Sequence, residues 1–437
     1  MNRIQIMFTA LTFGLSAISH AQEQVMVSQD EVLQKIARGN LRLKVSEKDF
    51  ESARADYRQS NALYLPAINA SHTALTTTNP LMAFGSKLNQ EQLTAADFNP
   101  ALLNNPVKTN NYATRLEILQ PVINMDGLME RQAAKARMMA TELQTGRTKE
   151  YLQLQGYKAY MQLQMAYKAV DVLKKASETG QDNLRIVQQY YKQGILQKTD
   201  LLAVEVRVNE IANQLQYAKS NVRNASDYLS FLMEGSIEDK IYRPDRELTR
   251  KADEALTELS FTGNRKDIMA MDKASEAYMK LFRSSRMKFL PRLNAFGSYE
   301  LYDTRLFNMD AKGYTLGAQL SWSLFDGYKS IGKMEKAKAD YQKASAEAEE
   351  YKAQSKLEWN QTKRQLQDAQ NKVELTALAF EQSEEAYRIR QNRFEQGLEK
   401  TNELLMAESQ MLQKEMELFQ AIFEYNFTQK HLQFLTK

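Results

Sequence analysis

Apolar side chains recur at alternating spacings of three and four residues over most of the chain, which is the pattern of long coiled-coil helices. The first stretch runs without proline from Gly127 to Lys192 and predicts a helix of about 66 residues, roughly 100 Å long. A second long helix is predicted at 328–395, and shorter helices are predicted at 199–233 and 401–435. Because helices of this length need a partner along their whole extent, we expect them to pair as hairpins.

Four shorter segments alternate apolar and polar residues with a period of two, which predicts β-strands. In the clearest of them, Tyr314 to Leu324, one face is apolar and aromatic and the other is small and polar. Strands of this kind fit the wall of a membrane barrel, although a soluble sandwich would show the same alternation. We place the four strands at 64–78, 110–124, 289–302 and 313–326.

Four strands are too few to close a membrane barrel. An open edge in lipid leaves backbone groups without hydrogen-bond partners, and the smallest membrane barrels have about eight strands. Several copies of the chain must therefore each contribute four strands, so two copies would give about 8 and three about 12. The strand aromatics would then form a girdle at the membrane interface rather than ordinary strand packing: Tyr112, Tyr299, Tyr314 and Trp322.

The chain is an internal duplication. The stretch from Tyr64 to Ala70 returns 225 residues later as Phe289 to Ala295, whereas the motif ending at Gly194 returns at Gly397 after a shift of 203. The difference of 22 lies in residues 79–110, which contain three prolines and several asparagines and are interpreted as a long surface loop. The repeats therefore cover 22–233 and 253–437, and a polar linker at 234–252 joins them.

The first residues predict export. Arg3, the apolar stretch after it and a cleavage site after Ala21 are typical of a secretory signal peptide at 1–21; a membrane-anchoring helix is the alternative. The mean hydropathy of -0.56 excludes a polytopic helical membrane protein but not a barrel. Lys+Arg 58 against Asp+Glu 54 gives no indication of nucleic-acid binding.

The chain lacks the residue patterns of an enzyme. It contains no cysteine, which excludes disulfides, thiolate catalysis and cysteine-ligated metal. After loss of the signal only His72 and His431 remain among the histidines, and they lie in different elements. No phosphate-binding loop, zinc-protease motif or nucleophile elbow is present. We therefore expect no catalytic activity, no cofactor and no metal site.

Several motifs, taken together, resemble the TolC-like outer-membrane efflux proteins, also called outer membrane factors. The resemblance extends from about residue 28 to 435. The motifs are an opening helix, two helix-to-strand junctions, two strand-to-helix junctions and the glycine turns: Ser28–Glu31 leading to Ile36–Asn40, Leu65-Pro66, Leu290-Pro291, Gln120–Ile123, Trp322–Gly327, and the turns at Gly194 and Gly397.

The resemblance implies a mainly α protein with membrane β structure. Three chains would each give four strands to a 12-stranded outer-membrane β-barrel, continued by a long periplasmic α-helical coiled-coil barrel, with the linker in an equatorial region. The implied function is that of a passive channel of a tripartite efflux system. It would export small toxic compounds, driven by an inner-membrane pump of the RND or ABC type through a periplasmic adaptor, or membrane fusion protein. Type I protein secretion is the alternative; a periplasmic structural coiled coil or adaptor is a further one.

The resemblance also assigns roles to residues near the two glycine turns. The turns would be tips that dock the adaptor, and the residues concerned are Gly194, Ile195, Leu201, Gly397, Leu398 and Leu404. Asp200 and Glu403 would line the periplasmic aperture of the pore. As first-turn carboxylates they could instead serve only to stabilise the N-terminus of a helix.

Overall fold

The computed structural model describes residues 23–237, 240–252, 260–306, 308 and 310–436. The predicted signal peptide at 1–21 lies outside the described residues. The helices are α1 Gln29–Gly39, α2 Leu41–Gln59, α3 Pro80–Asn89, α4 Pro100–Asn104, α5 Met125–Lys192, α6 Lys198–Glu234, α7 Lys266–Met287, α8 Lys329–Glu395 and α9 Thr401–Thr436. The strands are β1 Glu23–Val27, β2 Ala67–Thr77, β3 Thr109–Ile123, β4 Lys240–Pro244, β5 Arg292–Asp303 and β6 Ala311–Ser321.

The two long helices begin and end within a few residues of their predicted bounds. α5 has 68 residues and α8 has 67, and each is followed by a shorter helix of 37 or 36 residues. The predicted apolar seam of α6 is buried at Val204, Val208 and Ile211. The predicted seam of α8 is likewise buried at Leu366 and Val373. The spacing of apolar residues was therefore sufficient to find these helices.

In the middle of α5 the buried positions differ from the predicted seam. The spacing predicts Leu173 and Ser177, whereas Val172 and Ala176 are the buried residues. Val172 and Ala176 share a core cluster with Ile211 of α6 and Leu412 of α9, so α5 packs on two helices there. A helix with two neighbours buries a wider stripe than a single coiled-coil seam, which explains the difference.

The large sheet is four-stranded and antiparallel in the order β2-β3-β5-β6. Its two central strands come from different repeats, and Leu116 of β3 lies opposite Tyr299 of β5. The four strands match the predicted set, although β6 ends at Ser321 and leaves Trp322 outside the strand. The duplication thus builds one continuous sheet from two strand pairs.

The irregular segments contain more regular structure than the sequence predicts. Residues 79–110 are not only a loop, because they contain α3, α4 and a short 3-10 turn between them. Asn79 and Asn99 are N-caps that each precede a proline at the first helical position, so these Asn-Pro pairs start helices. The linker at 234–252 contains β4, which pairs in parallel with β1 in a second sheet. Five-residue strands are too short to give a reliable period-two signal.

The chain divides into two compact units. The helical unit comprises the described residues of 1–41, 152–256 and 363–431. The sheet unit comprises those of 42–151, 257–362 and 432–437.

In the helical unit, the end of α1 is fixed against the end of α6. The Asn40 side chain is buried, and its Nδ2 donates to the Leu232 carbonyl oxygen at 2.8 Å. This contact satisfies one of the carbonyl groups that a helix leaves free at its C-terminus. A Cβ added at Gly39 would lie 2.3 Å from the Met233 carbonyl oxygen, so the backbones of α1 and α6 approach too closely here for any residue larger than glycine.

In the sheet unit, a half-buried carboxylate joins three elements. Asp267 of α7 accepts hydrogen bonds from Arg265 Nη2 at 2.6 Å, Arg147 Nε of α5 at 3.1 Å and the Tyr351 hydroxyl of α8 at 2.9 Å. Burial alone would raise the pKa of Asp267, but the hydrogen bonds and the two arginines hold it below its ordinary value.

Candidate functional site

The large sheet has one apolar face. In the register of the sheet, Ala70, Leu116, Tyr299 and Tyr314 lie side by side across the four strands. The side chains an even number of residues away along each strand share this face. They include Ile68, Ile118, Leu316 and Leu320, all of which are exposed. A continuous exposed apolar face of this kind indicates contact with an apolar environment rather than with water.

The opposite face is polar. Arg115 of β3 lies directly opposite Glu300 of β5, and their side chains approach to 3.3 Å. Arg115 also approaches the Glu117 carboxylate to 3.2 Å, and Ser71 and Thr315 occupy the same face on the outer strands. The alternation therefore separates an apolar face from a charged, water-compatible one, as in the wall of a water-filled barrel.

The predicted aromatic residues all lie on or beside the apolar face. Tyr299 and Tyr314 are directly opposite each other, and Tyr314 is 77% exposed. Tyr112 stacks on the His72 ring at a centroid distance of 6.4 Å. Trp322 follows Tyr314 by eight residues, about 26 Å in extended backbone, close to the roughly 25 Å height of a membrane barrel's apolar band. Their girdle role stays a prediction.

The outer strands β2 and β6 each have one partner among the described strands, so the sheet has two open edges. An edge presents a row of unpaired N–H and C=O groups that readily pairs with another strand. The sheet is therefore incomplete as a single chain. Within the described residues, no helix is long and apolar enough to cross a membrane.

The helical tips have the same construction in both repeats. Gly194 and Gly397 adopt the left-handed conformation with φ of 74° and 72°. At the first tip, the Ile195 backbone N–H donates to the Tyr190 carbonyl oxygen at 2.9 Å. At the second, the Leu398 backbone N–H donates to the Arg393 carbonyl oxygen at 2.8 Å. These bonds form a Schellman motif, which requires a residue that tolerates positive φ. The glycines therefore set the shape of both tips.

The six predicted docking residues fall into three groups. Gly194 and Gly397 form the turns, while Ile195 and Leu398 just after them are 61% and 64% exposed. Leu404 is instead fully buried in a core cluster, against which the half-buried Leu201 packs. The structure thus gives the two leucines a supporting position beneath the tips, and leaves two exposed apolar side chains at the surface.

The two predicted aperture carboxylates are both engaged in local contacts. Asp200 Oδ2 accepts from the Gln197 backbone N–H at 3.1 Å as part of a capping box. Glu403 Oε2 lies 2.7 Å from Arg390 Nη1. Asp200 therefore caps the start of α6, whereas Glu403 joins the first turn of α9 to α8.

One buried ion pair below the tips has no signal in the sequence. Arg207 Nε of α6 approaches Glu408 Oε2 of α9 to 3.1 Å. Burial raises the pKa of Glu408, and the bond to Arg207 opposes that shift only in part. Each residue is a sequence neighbour of an apolar core position on its helix, where a charged side chain is usually solvated. The spacing of apolar residues therefore did not predict this ion pair.

Within the described residues, no group of three or more His, Asp or Glu side chains could hold a metal.

Comparison with known proteins agrees with this architecture. Residues 260–436, which contain most of the second repeat, match the family model described as outer membrane efflux protein. No curated protein matches the chain significantly in sequence.

Several solved structures share the fold. The Campylobacter jejuni CmeC outer membrane channel is similar with a TM-score of 0.80 and 16% identity, covering 93% of this chain and 85% of that one. The outer membrane protein VceC of Vibrio cholerae gives 0.76 and 17%, covering 92% and 95%. The Neisseria gonorrhoeae MtrE outer membrane channel in its open state gives 0.74 and 14%, covering 93% and 88%.

These findings agree with the resemblance drawn from the sequence motifs. The similar structures show that the fold of outer-membrane channels extends over nearly the whole chain. The family is one of channel proteins rather than enzymes. The second repeat therefore matches the outer membrane efflux protein family model, and nearly the whole chain has the fold of outer-membrane channels.

Proposed function

We propose that three copies of this chain form an outer-membrane duct through which small toxic compounds leave the cell. A pump in the inner membrane would supply the energy, and a periplasmic adaptor would connect the two. The observation that carries this proposal is the large sheet, with one apolar face, one polar face and two open edges. Such a sheet is stable in lipid only as part of a closed ring.

The two open edges indicate how the ring closes. In lipid each unpaired backbone group costs several kcal/mol, so β6 of one copy must pair with β2 of the next. Four strands per copy and three copies give about 12 strands, within the range known for membrane barrels. The apolar face then meets outer-membrane lipid, and the face with Arg115 and Glu300 lines a wet lumen.

The long helices would continue the duct across the periplasm. α5 and α8 each pair with a following shorter helix, and Val187, Val204, Tyr387 and Leu404 from all four helices share one core cluster near the tips. Three such four-helix assemblies would surround a central passage. Their polar surfaces fit a tube that is wet inside and outside.

The helical tips offer a contact surface for the adaptor. Ile195 and Leu398 are exposed apolar side chains held in place by rigid glycine turns. We expect Leu398→Asp to abolish export while the trimer still assembles, because the contact would lose apolar area and gain an unpaired charge. Gln396→Asp is the matched control, since it adds the same charge at an exposed polar position of the same tip. Equal export by both variants would move the docking site elsewhere.

Asp200 and Glu403 would line the inner aperture in this assembly. Removing the charge with Glu403→Gln should shift the cation-to-anion permeability ratio of the channel, measured as a reversal potential under a salt gradient. An unchanged reversal potential would leave Glu403 only its contact with Arg390.

The duct itself is tested on protein extracted from outer membranes. We expect a trimer that resists SDS until boiled and conducts ions in planar bilayers, and a deletion strain that becomes sensitive to drugs and dyes. A monomer that stays soluble without detergent would contradict the proposal. Unchanged drug sensitivity together with loss of a secreted protein would instead identify the type I secretion duct.

A further inference from the structure

The segment that distinguishes the first repeat from the second is a folded cap. It comprises residues 80–104, from the start of α3 to the end of α4. Lys87 Nζ joins α3 to Asp97 of the 3-10 turn at 2.7 Å. This hydrogen bond, with those from Thr94, lowers the pKa of Asp97 to about 2. The cap therefore has internal bonds of its own.

A single glutamine attaches the cap to the end of the sheet. Gln90 is buried, and its Nε2 donates to the Asn110 carbonyl oxygen and the Asn111 Oδ1, each at 2.9 Å. The same nitrogen donates to the Asp303 carbonyl oxygen at 3.0 Å. Asn110 and Asn111 belong to β3 and Asp303 to β5, so this amide bridges the two central strands.

The cap lies on the polar face of the sheet. Thr109 and Asn111 share that face with Arg115, because they are separated by even numbers of residues along β3. Thr109 is buried, and so is Ala311, the first residue of β6, which lies on the same face and is only 2% exposed. On the opposite face Tyr314 remains open to its surroundings. α3 also contacts both β3 and β6, so it crosses the end of the sheet on its polar side.

We propose that the three caps of the trimer converge in the outer mouth of the duct and narrow it. This inference rests on the proposed function, in which the polar face lines the lumen and the long helices extend into the periplasm. The cap precedes β3 and α5 follows it, so the cap lies at the other end of this strand and faces outward. A segment folded over the lumenal face of each copy must project toward the axis of the ring. The partner of each cap is therefore the cap of a neighbouring copy.

The surface of the cap fits such a contact. Its outward side chains form an apolar set that remains exposed in the part of the chain that the structure describes, although the surrounding mouth would be wet: Leu81, Met82, Leu88, Phe98 and Leu102. Exposed apolar patches of this kind mark interaction sites. Apolar contacts between identical caps would be non-directional, so they could separate when a compound passes.

Cross-linking tests the convergence directly, because the chain contains no cysteine. Phe98→Cys or Leu81→Cys places one thiol on each cap, and a short bismaleimide should then link copies into dimers on a denaturing gel. Leu316→Cys is the matched control, since it is equally exposed but lies on the apolar face, where copies are separated by the width of four strands. Cross-links in the control but not in the caps would overturn the inference.

Conductance tests the narrowing. Replacing residues 80–104 by a short Gly-Ser linker should raise the single-channel conductance about twofold or more, because current follows the narrowest section. Gln90→Glu, which removes the bridging donor at constant size, should produce frequent transitions to the higher level. If the unmodified trimer conducts and neither change alters its conductance, the inference that the caps narrow the mouth is refuted, while the proposed duct stands. Absence of any trimer or current would refute the duct itself.

Discussion

The buried pair of Arg207 and Glu408 should respond very differently to the loss of one partner and of both. Glu408 is 2% exposed, its Oε2 is held by Arg207, and its Oε1 has no hydrogen-bond partner among the described residues. Arg207→Met therefore leaves a carboxylate without a counter-ion between packed helices. Breaking a buried pair in this way costs about 3–5 kcal/mol. Replacing both residues by methionine removes the charge altogether and should recover most of that loss.

Hydrogen exchange measured by mass spectrometry on the trimer in detergent is the appropriate assay, because it reports local opening of α9. At about 1.4 kcal/mol per factor of ten, Arg207→Met should accelerate exchange around Glu408 by about 10²- to 4 × 10³-fold. Arg185→Met is the control, since Arg185 forms an exposed pair with Asp182 at 3.0 Å and should leave exchange unchanged. Equal exchange in Arg207→Met and the unmodified protein would refute the reasoning.

The same variant should show a pH dependence of known sign. Burial raises the pKa of Glu408, so the folded state holds a proton on this carboxyl more tightly than the unfolded state does. The stability from this group is present below the unfolded pKa and is lost as the pH rises through the folded pKa. Corrected for intrinsic rates, Arg207→Met should regain protection as the pH falls from about 7 to about 5. Glu408→Gln should lack this dependence.

Three further changes test other parts of the fold. Gly39→Ala should lower the thermal midpoint by circular dichroism, because its Cβ would lie 2.3 Å from the Met233 carbonyl oxygen; an unchanged midpoint would show that α1 can shift. Leu316→Arg should abolish trimers in outer-membrane fractions, whereas Thr315→Arg on the opposite face should preserve them; equal yields would contradict the assignment of faces. Asp267→Asn should lower the midpoint at pH 7 by leaving two buried arginines without their carboxylate. That difference should shrink as acid protonates Asp267 in the unmodified protein, since its pKa is lowered and its contribution is lost as the pH falls through the folded pKa.

The regular elements of the candidate site could be predicted because their signals are local. The alternation of apolar and polar residues from Tyr314 onward predicts β6, and the glycine at Gly397 predicts a hairpin tip. Neither signal depends on the tertiary surroundings. The aromatic residues on the apolar face followed from the same period of two. Their depth in a membrane did not follow, since it depends on the register between strands.

The cap was misinterpreted for a physical reason. Asn-Pro is a common turn signal, but Asn79 and Asn99 each accept a backbone N–H and so start helices. Whether such a pair begins a turn or a helix depends on what packs afterwards, and here Gln90 attaches the new helix to two strands. The role of Leu404 was likewise decided by packing, because its place in the core comes from neighbours on three other helices.

By itself the sequence determined the duplication, the long helices and the four amphipathic strands, because spacings of 3.5 and 2 residues are properties of neighbouring positions. The tertiary structure alone decided which distant groups meet. Asn40 reaches Leu232 across 192 residues, and Arg207 reaches Glu408 across 201. Contacts at such separations depend on how the helices and strands come together in space, which no local period encodes. The tertiary structure likewise decided where the cap attaches, because the Gln90 amide donates to backbone carbonyl groups of both β3 and β5.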